Sequence, residues 1–281
     1  MPELPEVETI ARDLVAAGVV GRVVSCGRVY WDRSVAEPSA AEFCRRLENR
    51  RVAGVRRRGK FLVLDLADGE ALLVHLRMSG RLHLVPASQA RLSHEHVVIG
   101  FDDGSELRLH DTRKFGRVYL VHDADTVLSR LGPEPLAPEF TASRLGSMLK
   151  RRKRRIKPLL LDQGFVAGIG NIYADEALWE ARIHPMRPAG SITAAEARAL
   201  HRAIQLVLKR GLRNLGTSLG TGKANFYSVG RRRGRNVDEL KVFRRTGLPC
   251  PRCSGRIARI VVAQRSTHLC PRCQVEGTDK G

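Results

Sequence analysis

The chain has 281 residues, of which 43% are hydrophobic, and this length predicts two domains with a small appendage. Its 49 basic residues outnumber its 29 acidic residues, and the formal net charge of +20 predicts a polyanionic partner. No apolar run approaches the roughly 18 residues that cross a membrane, and the N-terminus MPELPEVETI lacks the apolar core of a signal peptide. These features argue against a membrane-spanning or secreted protein and predict a cytoplasmic one.

Residues 1–130 predict one helix followed by many short strands. Apolar side chains recur at helical spacing through residues 3–17, and glycines end that pattern. Strand-like runs come next, some of them separated by Asp-Gly turns. They cover residues 21–31, 61–66, 71–76, 81–85, 96–101, 106–110 and 116–121. Short strands with turns at close intervals are typical of a β-sandwich or a β-barrel.

The pattern changes at Leu131. Three prolines and a glycine within LGPEPLAPEF predict a linker over 131–140. Between two later helices, the glycine-rich turn GFVAGIGN opens onto a helix N-terminus, where backbone amides can hold a phosphate. Residues 216–238 are rich in glycine and arginine and predict a loop. The helical patterns of this half cover 141–152, 157–163, 171–181 and 193–213.

Four cysteines near the C-terminus form two C-P-R-C turns separated by sixteen residues: Cys250, Cys253, Cys270 and Cys273. Each turn can present two thiolates, and two turns complete a tetrahedral Zn²⁺ shell with no open position for a catalytic water. We therefore predict one structural Zn²⁺ ion. Two disulfides are the alternative, but nothing else in the chain indicates secretion. Because arginines flank the cysteines, we expect this small zinc module to hold nucleic acid.

The first six residues, MPELPE, combine an N-terminal proline with two carboxylates. Removal of Met1 exposes a secondary amine at Pro2, and an α-amino group has a pKa of about 8, against about 10.4 for lysine. Such an amine can attack a carbonyl-like carbon and form a Schiff base. Glu3 and Glu6 stand next to it as proton donor and water-positioning residue. Composition alone favours a simpler interpretation, a capped helix with acidic residues in its first turn.

Six motifs, read together, resemble the formamidopyrimidine-DNA glycosylase family of bacterial base-excision repair enzymes. They are MPELPEVET, RRGKFL, HLRMSG, DTRKFG, GIGNIYADEALW and CPRC…QRSTHLCPRCQ, in this order over essentially the whole chain. The resemblance implies a multidomain α+β fold. Its parts would be an N-terminal catalytic β-sandwich domain with a leading catalytic helix (1–130), a linker (131–140), a helix–two-turns–helix DNA-binding domain with a lesion-recognition loop (141–240) and a C-terminal zinc finger (241–281).

The resemblance also implies chemistry on a nucleotide that is flipped out of the DNA stack, because the sugar carbon is not reachable inside a duplex. Pro2 would attack C1′ and release the damaged base, and the Schiff base would allow β- and δ-elimination. Glu3 corresponds to the general acid/base, and Glu6 to a residue that orders water. Lys60 corresponds to the lysine that contacts phosphate and assists β-elimination, and Arg265 to the zinc-finger arginine linked to δ-elimination.

Further residues correspond by motif to DNA contacts. Flipping leaves a void in the duplex, which an apolar wedge and a guanidinium can fill. Met78, Arg113 and Phe115 occupy the void-filling positions of the family, although Met78 and Phe115 taken singly are more often core residues. The remaining predicted DNA contacts are His94, which begins the His-x-His pair, Lys153, Lys157 and Asn171.

The chain departs from the family pattern at two places. Phe243-Arg244-Arg245 replaces a usual Tyr-Gly-Arg, so a glycine is lost and charge is gained. In the lesion-recognition loop an aromatic pair is replaced by Arg235 and Asn236, which leaves the lesion preference open. The arginines of this loop are expected to hold phosphate instead: Arg231, Arg232, Arg233 and Arg235.

The leading hypothesis is a bifunctional glycosylase and AP lyase that excises 8-oxoguanine paired with cytosine and formamidopyrimidines. An endonuclease VIII-type enzyme for oxidised pyrimidines is the nearest alternative, and the arrangement of Met78, Arg113 and Phe115 argues against it. A non-catalytic protein that binds damaged DNA is the other alternative, and the intact Pro2, Glu3 and Lys60 argue against it. The expected partner is damaged double-stranded DNA and no membrane. The resemblance implies a monomer in the bacterial cytoplasm, associated with the nucleoid through DNA binding.

Overall fold

Two compact units make up the computed structural model, which describes residues 2–219, 226–230 and 232–276. The first unit comprises Met1–Ser129 and Leu212–Val237, and the second comprises Arg130–Gly211 and Asp238–Gly281. The segment 212–237 thus belongs with the N-terminal residues, whereas the sequence boundaries place all of it in the helical domain 141–240. The reason is a set of hydrogen bonds to the first helix, described below with the site.

The first unit begins with a helix and continues mainly with strands. Its elements are α1 (Leu4–Ala16), β1 (Val24–Val29), β2 (Val35–Glu37), α2 (Ala40–Leu47), β3 (Val52–Arg58), β4 (Phe61–Leu66), β5 (Ala71–His75), β6 (Arg81–Pro86), β7 (Glu95–Phe101), β8 (Ser105–His110), β9 (Arg117–Val121) and α3 (Asp125–Leu128). The strands form a four-stranded sheet in the order β1-β7-β8-β6 and a five-stranded sheet in the order β2-β9-β5-β4-β3. Neighbouring strands are antiparallel, except that β2 and β9 are parallel.

Apolar side chains from both sheets and from α1 share one core. Leu62 and Leu72 come from the five-stranded sheet, Ile99 and Leu107 from the four-stranded sheet, and Ile10 from α1. Each fully buried side chain of this size contributes roughly 1.5–3 kcal/mol. Two separate sheets that share a core form a β-sandwich, so the structure decides between the sandwich and the barrel that the strand pattern left open.

Four elements of the first unit are not predicted by the sequence patterns: β2, α2, β3 and the four-residue α3. β3 reads VAGVRRR and has one buried residue, Val52, so its arginines obscure the alternation typical of a strand. α2 has eight residues, and the Ser39 hydroxyl caps it by accepting the Glu42 N–H at 3.2 Å. β2 has three residues, which are too few for a pattern.

The second unit is helical and ends in a hairpin. Its elements are α4 (Ala142–Lys150), α5 (Ile156–Leu160), α6 (Asn171–Glu180), α7 (Ala194–Arg213), β10 (Ala258–Val262) and β11 (Arg265–Leu269). α5 ends three residues before the predicted helix end, because Asp162 Oδ1 accepts the Gly164 N–H at 3.0 Å and forms a turn there. No helix within the described residues combines the length and the apolarity needed to cross a membrane.

The proline-rich segment 131–140 packs into the second unit. The Gly132 N–H donates to the Gln163 carbonyl oxygen at 2.8 Å, and the Ala167 N–H donates to the Pro133 carbonyl oxygen at 3.0 Å. A Cβ on Gly132 would lie 2.6 Å from the backbone carbonyl of Phe165, so only glycine fits there. The sequence predicts a linker here, and the structure shows a segment with its own backbone partners.

Candidate active site

The start of α1 holds two buried carboxylates directly after Pro2. Glu3 and Glu6 are each 2% exposed, and the Glu3 N–H donates to Glu6 Oε2 at 2.8 Å. The other Glu6 oxygen, Oε1, accepts the Thr217 N–H at 2.7 Å. Glu6, for which the resemblance implies a water-ordering role, thus binds two backbone amides and fixes the backbone of Glu3, the residue after Pro2. Met1 lies outside the described residues.

Lys60 is the second residue of the tight turn between β3 and β4, and it is 4% exposed. Gly59 has φ +57, which glycine adopts without strain and which lets the chain reverse. Burial, reinforced by the charges of Arg77 and Lys60, lowers the pKa of His75 to about 3. His75 is therefore neutral at pH 7, and its Nδ1 accepts the Arg77 N–H at 3.0 Å. The buried Lys60 ammonium thus has an uncharged imidazole nearby.

One buried carboxylate ties together the two loops that carry the predicted void-filling residues. Asp111 is 1% exposed. Its Oδ1 accepts the Ser79 hydroxyl and the Arg113 N–H, the latter at 3.1 Å. Its Oδ2 accepts the Gly116 N–H at 2.6 Å. Since Ser79 follows β5 and the other two partners follow β8, Asp111 fixes one loop against the other.

The predicted void-filling residues project from these loops. Met78 is 44% exposed and Phe115 is 46% exposed, although side chains of this type are usually buried. The Arg113 guanidinium carbon lies 4.9 Å from the centroid of the Phe115 ring, within cation–π distance. Exposed apolar side chains beside a guanidinium suit insertion into a base step. Their contact with DNA stays a prediction.

The two histidines of the His-x-His pair differ in environment. His94 is exposed and has φ +69 at the turn before β7. His96 is 7% exposed, and its Nε2 lies 3.0 Å from the carbonyl oxygen of Asp111. Burial lowers the pKa of His96. His94 is therefore the histidine available to a ligand, whereas His96 supports the loop.

Lys114 is a further exposed cation of this region, and the sequence did not single it out. It lies between Arg113 and Phe115, and its Nζ is 4.0 Å from the centroid of the Trp31 ring. The basic pair in DTRKFG is the signal that could have identified it. Trp31 orients the Lys114 ammonium beside the predicted void-filling residues.

Lys157 is fully buried in the second unit, at 0% exposure. Its Nζ lies 2.6 Å from Asp175 Oδ1 and donates to the Ser266 carbonyl oxygen at 3.0 Å and to Thr267 Oγ1 at 2.7 Å. The other Asp175 oxygen accepts the His268 N–H at 2.8 Å. The sequence predicts a DNA contact for Lys157, but its ammonium group has no exposed surface in this structure. In this structure it holds β11, and its DNA contact stays a prediction.

The other predicted contacts of the second unit surround the same strand or lie on the surface. Asn171 begins α6, and its Nδ2 donates to the Ser266 carbonyl oxygen at 2.9 Å, the same oxygen that Lys157 binds. Two side chains thus fix the backbone directly after Arg265. Arg265 itself is exposed at the start of β11, and Lys153 is exposed between α4 and α5. Both cations are open to a phosphate, and their contacts stay predictions.

The segment 212–237 has polar contacts where the family pattern has an aromatic pair. Asn236 is 2% exposed, and its Nδ2 donates to Thr217 Oγ1 at 2.9 Å. A Cβ on Gly234 would lie 2.3 Å from the Gly216 carbonyl oxygen, so the two backbones touch. Buried Asn236 therefore joins the two ends of the segment 212–237 through its hydrogen bond to Thr217.

The arginines of this segment do not share one environment. Arg232 forms an ion pair with Asp13 of α1. Arg233 and Arg235 are exposed. Arg231 lies outside the described residues. The phosphate role predicted for these arginines is untested, and Arg232 already has a carboxylate partner.

Four cysteine sulfurs converge near the C-terminus. All four Sγ atoms lie within 4.8 Å of one another, with 3.9 Å between Cys250 and Cys273 and 3.4 Å between Cys253 and Cys270. A tetrahedron with Zn–S bonds of about 2.3 Å has sulfurs about 3.8 Å apart, so the donor set fits Zn²⁺. The Trp179 indole N–H donates to Cys250 Sγ at 3.4 Å, a contact that stabilises a thiolate ligand. None of the six cysteines forms a disulfide.

Three family models match successive parts of the chain. The Formamidopyrimidine-DNA glycosylase N-terminal domain matches residues 1–118, the Formamidopyrimidine-DNA glycosylase H2TH domain matches 131–222, and the zinc finger found in FPG and IleRS matches 247–275. The formamidopyrimidine-DNA glycosylase of Protochlamydia amoebophila is 43% identical over 274 residues, which are 98% of this chain and 99% of the relative. The chain belongs to the formamidopyrimidine-DNA glycosylase family.

Other members of the formamidopyrimidine-DNA glycosylase family are similar to this chain over nearly its full length. The enzyme of a Roseiflexus species is 48% identical over 278 residues, covering 98% of this chain and 100% of the relative. The complex of Lactococcus lactis Fpg with an abasic site containing DNA has a TM-score of 0.89 at 35% identity, covering 98% and 100% of the two chains. Fpg from Thermus thermophilus has a TM-score of 0.88 at 39% identity, covering 99% and 100%.

These comparisons confirm the resemblance read from the motifs, the α+β fold class and the structural zinc site. As a formamidopyrimidine-DNA glycosylase family member, the chain is a DNA glycosylase of base-excision repair. The site residues were assigned by motif, and their individual roles stay predictions.

Proposed function

We propose that this glycosylase excises oxidised purines, namely 8-oxoguanine and formamidopyrimidines, and then cuts the strand as an AP lyase. The observation that carries the proposal is the buried carboxylate pair after Pro2. A helix cap alone would explain the bond between Glu3 and Glu6. It does not require Glu6 to bind Thr217 as well, 211 positions along the chain. That second bond supports a fixed arrangement of the residues that follow Pro2.

The chemistry follows from these groups. After removal of Met1, the Pro2 nitrogen attacks C1′ of the flipped nucleotide, and the glycosidic bond breaks with its electron pair leaving on the base. Glu3 donates a proton as the sugar ring opens to the Schiff base. Loss of a C2′ proton then expels the 3′ phosphate, and a further elimination expels the 5′ phosphate. Water hydrolyses the Schiff base and frees Pro2.

Two cations would serve the departing phosphates. Lys60 would contact a backbone phosphate and assist the first elimination, and His75, whose pKa is about 3, adds no second positive charge there at neutral pH. Arg265 would contact phosphate for the second elimination. Bound Zn²⁺ would fold the hairpin that carries Arg265. Lys157 and Asn171 would place that arginine through the Ser266 carbonyl.

Damaged double-stranded DNA is the proposed partner. The net charge of +20 supports a polyanionic ligand. The exposed Met78, Arg113 and Phe115 would fill the void left by flipping, and the exposed His94 and Lys153 would contact the backbone. Lactococcus lactis Fpg has been solved with a Fapy-dG containing DNA, which supports a purine lesion. The proposed enzyme acts as a monomer in the cytoplasm.

Borohydride trapping tests the proposal. The enzyme is incubated with duplexes that contain 8-oxoguanine, a formamidopyrimidine or thymine glycol, and reduction of the Schiff base yields a covalent adduct on a denaturing gel. We expect adducts with the first two lesions, and their loss in Pro2→Gly. Arg12→Gln, an exposed change on the same helix, is the matched control and should retain the adducts. No adduct with any duplex would refute the lyase mechanism, and preference for thymine glycol would favour the oxidised-pyrimidine alternative.

A further inference from the structure

Helix α1 carries another buried carboxylate besides the pair at its start. Asp13 is 7% exposed and lies seven positions after Glu6, about two helical turns, so both project from the same face of α1. Asp13 Oδ2 accepts the Gly230 N–H at 3.3 Å. Its Oδ1 forms an ion pair with the Arg232 guanidinium. A buried carboxylate requires hydrogen-bonding or charged partners, and both Asp13 oxygens find theirs in the segment 212–237.

The segment therefore docks on α1 at two points. Glu6 holds Thr217 near its start, and Asp13 holds Gly230 and Arg232 further along. Between these points, Val229 is 6% exposed and belongs to the core of the first unit. These contacts leave the described part of the segment little freedom to move relative to the helix.

Two hydrogen bonds between Ser228 and Arg232 fix the backbone from which Arg232 reaches Asp13. The Ser228 N–H donates to the Arg232 carbonyl oxygen at 2.9 Å, and the Arg232 N–H donates to Ser228 Oγ at 3.1 Å. The side chain of Arg232 is still 57% exposed, so its ion pair is reached from the surface. Replacement of Arg232 would therefore leave the core packing intact.

We propose that Asp13 is a positioning residue for recognition of the damaged base. Through Gly230 and Arg232 it holds residues 226–230 and 232–236 on the helix that directly follows Pro2 and Glu3, about two turns from Glu6. A base bound against this segment then has a fixed position relative to the nucleophile. An abasic sugar has no base to hold, so cleavage at a preformed abasic site does not use this contact. The inference rests on the proposed function.

The phosphate role that the sequence predicts for Arg232 gives a different expectation. A phosphate-binding arginine contributes equally to damaged, abasic and undamaged duplexes. Its loss would weaken binding to all of them and lower the salt dependence of the binding constant by about one. If Arg232 acts through Asp13 instead, its loss should slow base excision and leave the binding of all three duplexes unchanged.

Single-turnover assays on two duplexes separate these roles. One duplex contains 8-oxoguanine and reports base release; the other contains a preformed abasic site and reports nicking. We expect Asp13→Asn and Arg232→Gln each to slow base release about five- to tenfold, as for loss of one charged hydrogen bond, with nicking changed less than about twofold. The double variant should lose no more than either single one, because the two residues act through one contact. Arg232→Lys should retain most of the base release.

Arg12→Gln is the matched control, because Arg12 lies on the same helix, is 63% exposed and pairs with Glu8. Equal loss of both activities, or loss of neither, in Arg232→Gln overturns the inference. A lower salt dependence of binding in that variant also overturns it. If Asp13→Asn lowers the melting temperature strongly, Arg232→Gln decides alone. A wild-type enzyme that acts on neither duplex refutes the proposed function itself.

Discussion

Replacing Lys157 with methionine removes an ammonium group that has charged and polar partners in the interior of the second unit. Methionine has a similar volume, so the packing is largely kept. Asp175 loses a counter-charge at 2.6 Å, and the Ser266 carbonyl and Thr267 hydroxyl lose a donor at 3.0 Å and 2.7 Å. Removing one partner of a buried pair costs about 3–5 kcal/mol. His268, whose Nδ1 lies 3.0 Å from Asp175 Oδ2, remains beside the carboxylate, so we expect a loss near the lower end, about 3 kcal/mol. The melting temperature of the unit should fall by roughly 10 °C.

Thermal and urea unfolding of the zinc-loaded enzyme measure this change. The double variant Lys157→Met/Asp175→Asn should recover part of the loss, because it leaves no unpaired buried charge. Lys153→Met is the matched control: Lys153 is an exposed lysine of the same basic run, and its loss should change the unfolding free energy by less than about 0.5 kcal/mol. A Lys157→Met enzyme that unfolds like the wild type, but binds DNA with a salt dependence lower by about one, would refute this reasoning. Lys157 would then contact phosphate.

Four further changes follow from the structure. Arg244 has φ +58 where the family pattern has glycine, so Arg244→Gly should raise the melting temperature by relieving strain of about 1 kcal/mol. Asp111→Ala leaves the Arg113 and Gly116 amides without their acceptor, and the unfolding free energy in urea should fall by about 2–4 kcal/mol. The pKa of His75 is about 3 in the folded protein and about 6.5 when unfolded. The unfolded state therefore binds more protons in this interval, and stability falls as pH falls below the unfolded value. Between pH 7 and pH 5, His75→Gln should lose about 2 kcal/mol less than the wild type in urea titrations. Chelation of zinc should abolish DNA binding in gel-shift assays, while reagents for α-amines still modify Pro2.

Each of these outcomes has a result that would contradict it. A lower melting temperature for Arg244→Gly would mean that the arginine side chain stabilises more than its φ angle costs. An unchanged Asp111→Ala would mean that solvent replaces the lost carboxylate. Equal acid sensitivity of His75→Gln and the wild type would place the acid-sensitive group elsewhere. DNA binding that survives complete zinc release would separate the hairpin from recognition.

Local patterns predicted the elements with apolar residues at helical spacing and the apolar runs that are bounded by turn residues. α1 and α7 repeat apolar residues at helical spacing, and β4 and β5 flank an Asp-Gly turn. β3 was not predicted because arginines occupy both of its faces, and β2 was not predicted because it has only three residues. The zinc ligands were predictable because two C-P-R-C turns place their thiolates by local geometry alone.

The sequence by itself determined which reactive groups the chain has. Pro2 after a removable Met1, Glu3 beside it and four cysteines at zinc spacing depend on residue type and short-range order. Only the tertiary structure decided which charged side chains are buried. Lys157 lies in a basic run that looks like surface, yet it is interior because Ser266, 109 positions away, meets it. Asp13 likewise meets Arg232 across 219 positions. Contacts between residues so far apart leave no pattern in the local sequence. Burial then decides whether a charged side chain is accessible to DNA or forms an ion pair or hydrogen bond inside the protein.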